Sequence, residues 1–285
     1  EDALVASQIL NIALTKRGQY PMCGIPFHAA QTYLSKLLEA GRKVAICDQM
    51  EEPRPGHLVR REVTQILSPG THFDERVLKA ERNNFLAAIY PAGSCLGLAL
   101  ADLTTGDFLT TELNSPAALM AEMERQRPAE VIIPSEAEEL RKSLLPAFPH
   151  VTLYEDWVFG PETSFYTLKD HFKVATLDGF GLRGKNAAIG AAGALIHYLE
   201  QSLRRQTSQL SRLTFYERSD YLALDAHTLR NLEILEPLNP EAPSIYSLFG
   251  VMNLTSTPMG ARRLRLWLSQ PLADPAAIRE RQEAV

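Results

Sequence analysis

Several side-chain groupings in this 285-residue chain could carry chemistry. Asp102 and Asp107 flank a turn, Leu103-Thr104-Thr105-Gly106, and paired carboxylates suit two-metal hydrolysis. That chemistry needs several carboxylates around ions roughly 4 Å apart. No further acidic residue falls at a matching strand or helix end, so the pair reads as turn residues. Gly179-Phe180-Gly181-Leu182-Arg183-Gly184 fits the G-x-G-x-x-G pattern of a dinucleotide site ahead of a helix. Yet His171 to Leu177 makes a poor strand before it, and Gly184-Lys185-Asn186 lacks the hydroxyl and spacing of a phosphate-binding loop. These glycines read as the turn into the helix. Trp267 among Arg262, Arg263 and Arg265 could form a stacking platform for nucleic acid, but its helical spacing groups the ring with leucines and favours core packing. Lys16 and Arg17 close a predicted helix, where the macrodipole stabilises cations whatever their function.

Composition narrows the field. The net charge is −5 and the hydrophobic fraction 45%, as in a globular protein, with room for about two domains of ordinary size. Non-specific affinity for nucleic acid comes mainly from Lys and Arg on phosphates, so any such contact must be local. Cys23, Cys47 and Cys95 are far apart without Cys-x-x-Cys spacing, which suggests neither a disulfide framework nor zinc; reduced thiols and a cytoplasmic setting are expected. Ala187 to Leu199 falls short of the ~20 apolar residues of a membrane span. The chain opens at Glu1 without a signal peptide and ends at Val285 within a helical pattern, as expected of a fragment.

The elements that position these residues follow from periodicity. A helix is expected over 3–14, stopped by Gly18, and a second from Ala30, with Tyr33, Leu34, Leu37 and Leu38 on one stripe ended by Gly41. Strands are expected at 43–49 and 60–67, with Glu51 to His57 as the loop between them. After a polar segment, Asp74 to Asn84, the runs Phe85–Tyr90, Cys95–Ala101 and Asp107–Leu113 read as a meander. A helix opens at Pro116, strand Val131–Ile133 follows, and an Ala/Gly-rich helix from Asn186 to Gln206 leads away toward a third unit. From about Leu213 the pattern reads as helical. There Thr257 caps and Pro258 starts a helix with Ala261, Leu264, Trp267 and Leu268 inward and the three arginines outward. The fold class is α/β multidomain, in three units: 1–80, 84–208 and 212–285.

Thr15 to Ala30, which contains Pro21-Met22-Cys23-Gly24-Ile25-Pro26-Phe27-His28, resembles the mismatch-recognition domain of the MutS family of DNA mismatch-repair proteins. The resemblance continues through Val44 to Gln49, Ile66 to Thr71, Thr255 to Leu264 and Trp267 to Leu272. It implies a small mixed α/β mismatch-recognition domain, a ribonuclease-H-like connector domain and the α-helical start of a core domain. It also implies that Lys16, Arg17, Pro21, Met22 and His28 contact DNA, with Arg17 on phosphate and Met22 on sugars or base edges; His28 is equally suited to cap the next helix. The Gly18 to Pro21 loop is shorter than the family's.

The family wedges a Phe of a Phe-x-Glu motif against the mispaired base, where unstacking and kinking cost less. No such motif precedes the first helix; Phe73-Asp74-Glu75 and Phe215-Tyr216-Glu217 stand in the wrong context. Partners implied for the parent are mismatched double-stranded DNA, a second MutS-type subunit and a downstream MutL-type factor docking on the connector, with no membrane. ATP and Mg²⁺ are implied for the parent, no cofactor for this fragment. No catalytic site is expected here, and a bacterial cytoplasmic, nucleoid-associated location is implied. The alternative is a metal-dependent nuclease on the ribonuclease-H-like unit.

Overall fold

The computed structural model describes residues 1–52, 58–71, 81–217, 221–222 and 224–284. The Phe73-Asp74-Glu75 motif, residues 53–57 of the loop after Glu51, and residues 74–80 of the polar segment lie outside these.

The first unit opens with α1 (Asp2–Leu10), which ends at Asn11 in the left-handed conformation, φ 52°. This is shorter than the helix expected to Leu14. Asn tolerates that conformation at a helix C-terminus, and the chain turns into a hairpin of β1 (Leu14–Arg17) and β2 (Tyr20–Cys23). Lys16 and Arg17 are therefore strand residues and close no helix. Gly18, at φ 64°, starts the two-residue turn that joins the strands; Gly at the first turn position matches the twist of a tight hairpin. Then come α2 (Ala30–Glu39) and the antiparallel pair β3 (Val44–Gln49) and β4 (Arg61–Leu67).

The second unit is a six-stranded sheet of order β10-β7-β6-β5-β8-β9. Its strands are β5 (Leu86–Ala92), β6 (Cys95–Asp102), β7 (Asp107–Leu113), β8 (Glu130–Pro134), β9 (Val151–Tyr154) and β10 (Leu213–Phe215). The meander β5-β6-β7 is antiparallel, while β8, β9 and β10 add in parallel. On one face lie α3 (Pro116–Gln126) and α4 (Glu138–Leu144), over a core that includes Ile89, Leu98, Leu119 and Met123. The other face carries α5 (Pro161–Phe172) and α6 (Asn186–His197), packed on Phe108, Phe159 and Leu195.

Helix α6 corrects the sequence reading. It does not lead away from this unit: Ala187 through Ile196 are all buried. A single π-helical turn, Tyr198–Ser202, follows and ends the helix short of Gln206. The same small residues expected to let neighbours approach are used for sheet packing. A Cβ added at Gly97 would overlap the Ala187 carbonyl, and one at Gly193 would overlap Ser164. Leu213–Phe215, expected to be helical, instead form the edge strand β10, because Phe215 packs on the α6-side core and extends the sheet beside β7.

The remaining helices are α7 (Ala226–Asn231), α8 (Leu248–Met252), α9 (Pro258–Ser269) and α10 (Pro275–Glu283). Thr257 caps α9 through its hydroxyl to the Gly260 N–H, as read from sequence. Arg82, Arg127 and Arg265 converge on Glu236, tying these helices to the sheet unit. Burial, then the charges of Arg265 and Arg127, bring the Arg82 guanidinium down to about 10, so it stays charged at neutral pH.

The first two units meet at a part-buried junction around Glu130. Lys43 lies 3.3 Å from the Glu130 carboxylate and donates to the Tyr198 hydroxyl. Tyr198 donates to the same carboxylate at 2.7 Å and Thr152 at 3.3 Å. The π turn leaves the Leu203 carbonyl to accept the Ile66 N–H at 3.1 Å, and Arg205 donates to the Gln65 side chain at 2.6 Å.

Gly193→Ala is expected to destabilise the chain by about 1–3 kcal/mol through overpacking against Ser164, read as a lower urea midpoint with unchanged m. His197, whose Nδ1 lies 2.8 Å from the Tyr154 hydroxyl, is held below its ordinary 6.5 by burial, against the opposing pull of Glu155 and Glu200. An unfolded chain binds more protons at this site than the folded one, so stability is present above about pH 6.5 and is lost as pH falls through the lower folded value. His197→Gln should therefore lose less stability than the unaltered chain between about pH 7.5 and 5.5, by urea midpoint.

Candidate nucleic-acid interface

Hairpin register decides which side chains can act together. Directly opposed residues share a face and successive residues alternate. The pairs are Leu14 with Cys23, Thr15 with Met22, Lys16 with Pro21, and Arg17 with Tyr20. One face thus carries Thr15, Arg17, Tyr20 and Met22; the other carries Leu14, Lys16, Pro21 and Cys23. The structure separates Lys16 from Arg17, though they are neighbours in sequence. Thr15 braces the hairpin by donating its hydroxyl to the Met22 carbonyl at 2.9 Å. Pro21 and Met22 are strand residues, whereas the sequence suggested a stiff loop; Pro is tolerated on such an edge strand.

Both strands are open to solvent, with Cys23 alone half-buried. His28 sits apart, exposed in the short turn Phe27–Ala29 before α2. No side chain caps α2 at Ala29, so His28 does not have that role. Sequence reasoning missed Tyr20, which is 71% exposed, and Phe27, which is 96% exposed. The available signal was position: an aromatic directly after a two-residue turn must face the residue that precedes it. From Ala3 to Leu38 there is no Asp or Glu, while Lys16, Arg17 and Lys36 are present. The net charge of −5 therefore leaves this segment positive.

The competing sites do not assemble. Asp102 is fully buried and accepts from the Asn84 and Thr104 N–H groups at 3.0 and 2.8 Å and from the Thr104 hydroxyl. Asp107 accepts from Asn83 and Thr105, both at 2.7 Å. Both carboxylates are engaged in shaping the turn. Among the described residues no group of three or more His, Cys, Asp or Glu is placed to hold a metal ion.

At the start of α6, where a pyrophosphate would sit, the Ala187 and Ala188 N–H groups already donate to Glu112, at 2.9 and 3.2 Å. Lys185 points to Glu217 at 3.5 Å. In the Phe215-Tyr216-Glu217 motif, Phe215 packs on the core of the sheet unit and the Tyr216 hydroxyl donates to buried Glu122 at 2.5 Å. That phenylalanine is part of the fold and cannot serve as a wedge without breaking the sheet edge.

Trp267 differs from its expected core placement. The half-buried ring has the Arg281 and Arg263 guanidiniums over it, 4.6 and 5.4 Å from its centroid, and its indole nitrogen is buried without a partner among the described residues. Arg265 turns toward Glu236 and the Phe249 ring instead of facing out.

Comparison with known proteins agrees along the chain. Family models described as MutS domain I, MutS domain II and MutS domain III match residues 1–76, 84–211 and 227–285. Proteins named DNA mismatch repair protein MutS match the whole chain: 42% identical in Solibacter usitatus, 40% in Protochlamydia amoebophila and 39% in Lachnoclostridium phytofermentans. The chain spans about a third of the length of these curated relatives, 34%, 34% and 32% respectively. With three successive domain models in order and identities near 40% from end to end, the chain belongs to the MutS family.

Proposed function

We propose that this chain is the DNA-recognising and signal-relaying portion of a mismatch-repair protein, in which the first unit meets duplex DNA through the β1–β2 hairpin and the sheet unit acts as connector. The observation that carries this reading is the exposed hairpin, basic and without a carboxylate, in a chain that matches MutS domain I. A phosphate-binding role for Arg17 and a groove contact for Met22 fit its fully exposed face, with His28 supplying a secondary contact, while Lys16 and Pro21 stand on the opposite face of the hairpin.

The three antiparallel and three parallel strands of the six-stranded sheet support a ribonuclease-H-like reading of the connector. Through it the parent would pass the signal to a MutL-type factor, with a second MutS-type subunit completing the clamp. ATP and Mg²⁺ would act in the parent: no complete phosphate-binding loop motif occurs in these 285 residues. A cytoplasmic location follows from the same reading.

Fluorescence anisotropy of labelled duplexes tests this. We expect weak binding whose log K falls with log salt at a slope of about −2 to −3, as two or three neutralised phosphates require. A G·T duplex should gain less than about tenfold, 1.4 kcal/mol, over a paired one, because the phenylalanine of the described Phe-x-Glu match, Phe215, is packed against the sheet-unit core. Absence of binding at low salt would overturn a DNA-recognising role for this chain.

A further inference from the structure

The hairpin has two faces, and they are not equivalent. Leu14, Lys16, Pro21 and Cys23 form the face on which Cys23 is half-buried. Thr15, Arg17, Tyr20 and Met22 form the other, where every residue is exposed, Tyr20 at 71% and Met22 at 42%. Tyr20 stands directly opposite Arg17. The face therefore offers an aromatic ring, a thioether and a guanidinium side by side, in a segment with no acidic residue from Ala3 to Leu38.

Contiguous exposed apolar groups, unlike singly scattered ones, mark binding surfaces, and Tyr20 and Met22 are neighbours on one face of the hairpin. Adjacent cation and aromatic ring are the pairing that nucleic acid asks for, since the phosphates take the charge while sugars and base faces take the ring. An acidic protein partner would answer the charge but leave the ring and thioether without a matched apolar surface.

Resting on the reading above that the hairpin meets DNA, we propose that Tyr20 is a DNA-contacting residue of this chain, and that the Arg17–Tyr20–Met22 face, not the Lys16 face, lies against the duplex. Arg17 holds a phosphate and Tyr20 lies against sugar or base edges in the groove beside it. The Tyr20 contact is apolar and releases no counterion; the Arg17 contact releases about one. The two residues are thus separable by salt.

The experiment is a salt titration of a labelled 20-base-pair duplex with the full 285-residue chain and its Arg17→Met, Lys16→Met, Tyr20→Ala and Tyr20→Phe variants. All three sites are exposed, and circular dichroism checks that each of the four variants folds. Tyr20→Ala should weaken binding about fivefold with an unchanged salt slope, and Tyr20→Phe should bind as the parent chain does. Arg17→Met should lower the slope by about 0.9. Lys16→Met should change affinity less than twofold. Unchanged binding by Tyr20→Ala, or a Lys16→Met loss equal to that of Arg17→Met, would overturn the face assignment while leaving DNA binding in place. No binding by the unaltered chain would remove both.

Discussion

One buried carboxylate holds the first unit on the sheet unit. Glu130, 1% exposed, opens β8 and accepts from Tyr198 and Thr152 within the connector, and its charge is met by Lys43 from the loop between α2 and β3. Its second oxygen has no partner among the described residues. A carboxylate taken out of water is costly unless paired, and removing one partner of such a pair costs far more than an exposed ion pair contributes. Two polypeptide segments 87 residues apart are thus tied at one point, and the Ile66–Leu203 and Gln65–Arg205 contacts align behind it. The Lys43 ammonium also lies over the Tyr198 ring, 5.0 Å from its centroid, so a cation–π contact accompanies the ion pair.

The junction exists because of how α6 is built. Its alanines and glycines let the helix lie close on the sheet, with the Ala188 carbonyl accepting from Thr110 at 3.3 Å and Ser164 bridging to Gly190 at 3.1 Å. A helix so constrained at its start can adjust only at its end. There the π turn presents Tyr198 to Glu130 and frees the Leu203 carbonyl for β4. Such turns recur at functional positions. Burial and the neighbouring Glu130 charge push the Tyr198 hydroxyl far above its ordinary range, so it remains a donor throughout physiological pH.

Much of this was legible in the sequence where one local rule decided the outcome. Tyr33, Leu34 and Leu37 at helical spacing gave α2, and the alternation in 86–113 gave the meander. The glycine before α6 made a turn, as its spacing suggested. What escaped depended on partners distant in sequence. Leu14 to Arg17 carry no strong strand signal, and only pairing with Tyr20 to Cys23 takes them out of the helix pattern. Leu213 to Phe215 become a strand because β7 offers an open edge some 100 residues earlier. Nothing in the sequence singles out Glu130, since no local pattern announces a lysine 87 residues upstream. The candidate interface was found by resemblance, and its division into two faces came from strand register, which neighbours in sequence do not reveal.

Hydrogen–deuterium exchange on Lys43→Met, with the unaltered chain beside it, tests the coupling most directly. If the Glu130 junction holds the two units together, exchange of the Ile66 N–H, which is bonded across the junction, should rise tenfold or more. Amides of the central strands β5 and β6 should stay as protected as before, since their sheet does not depend on Lys43. Unchanged exchange at Ile66 would show that the units stay docked without this ion pair, and an equal rise throughout the connector sheet would show that Lys43 supports global stability and not the junction.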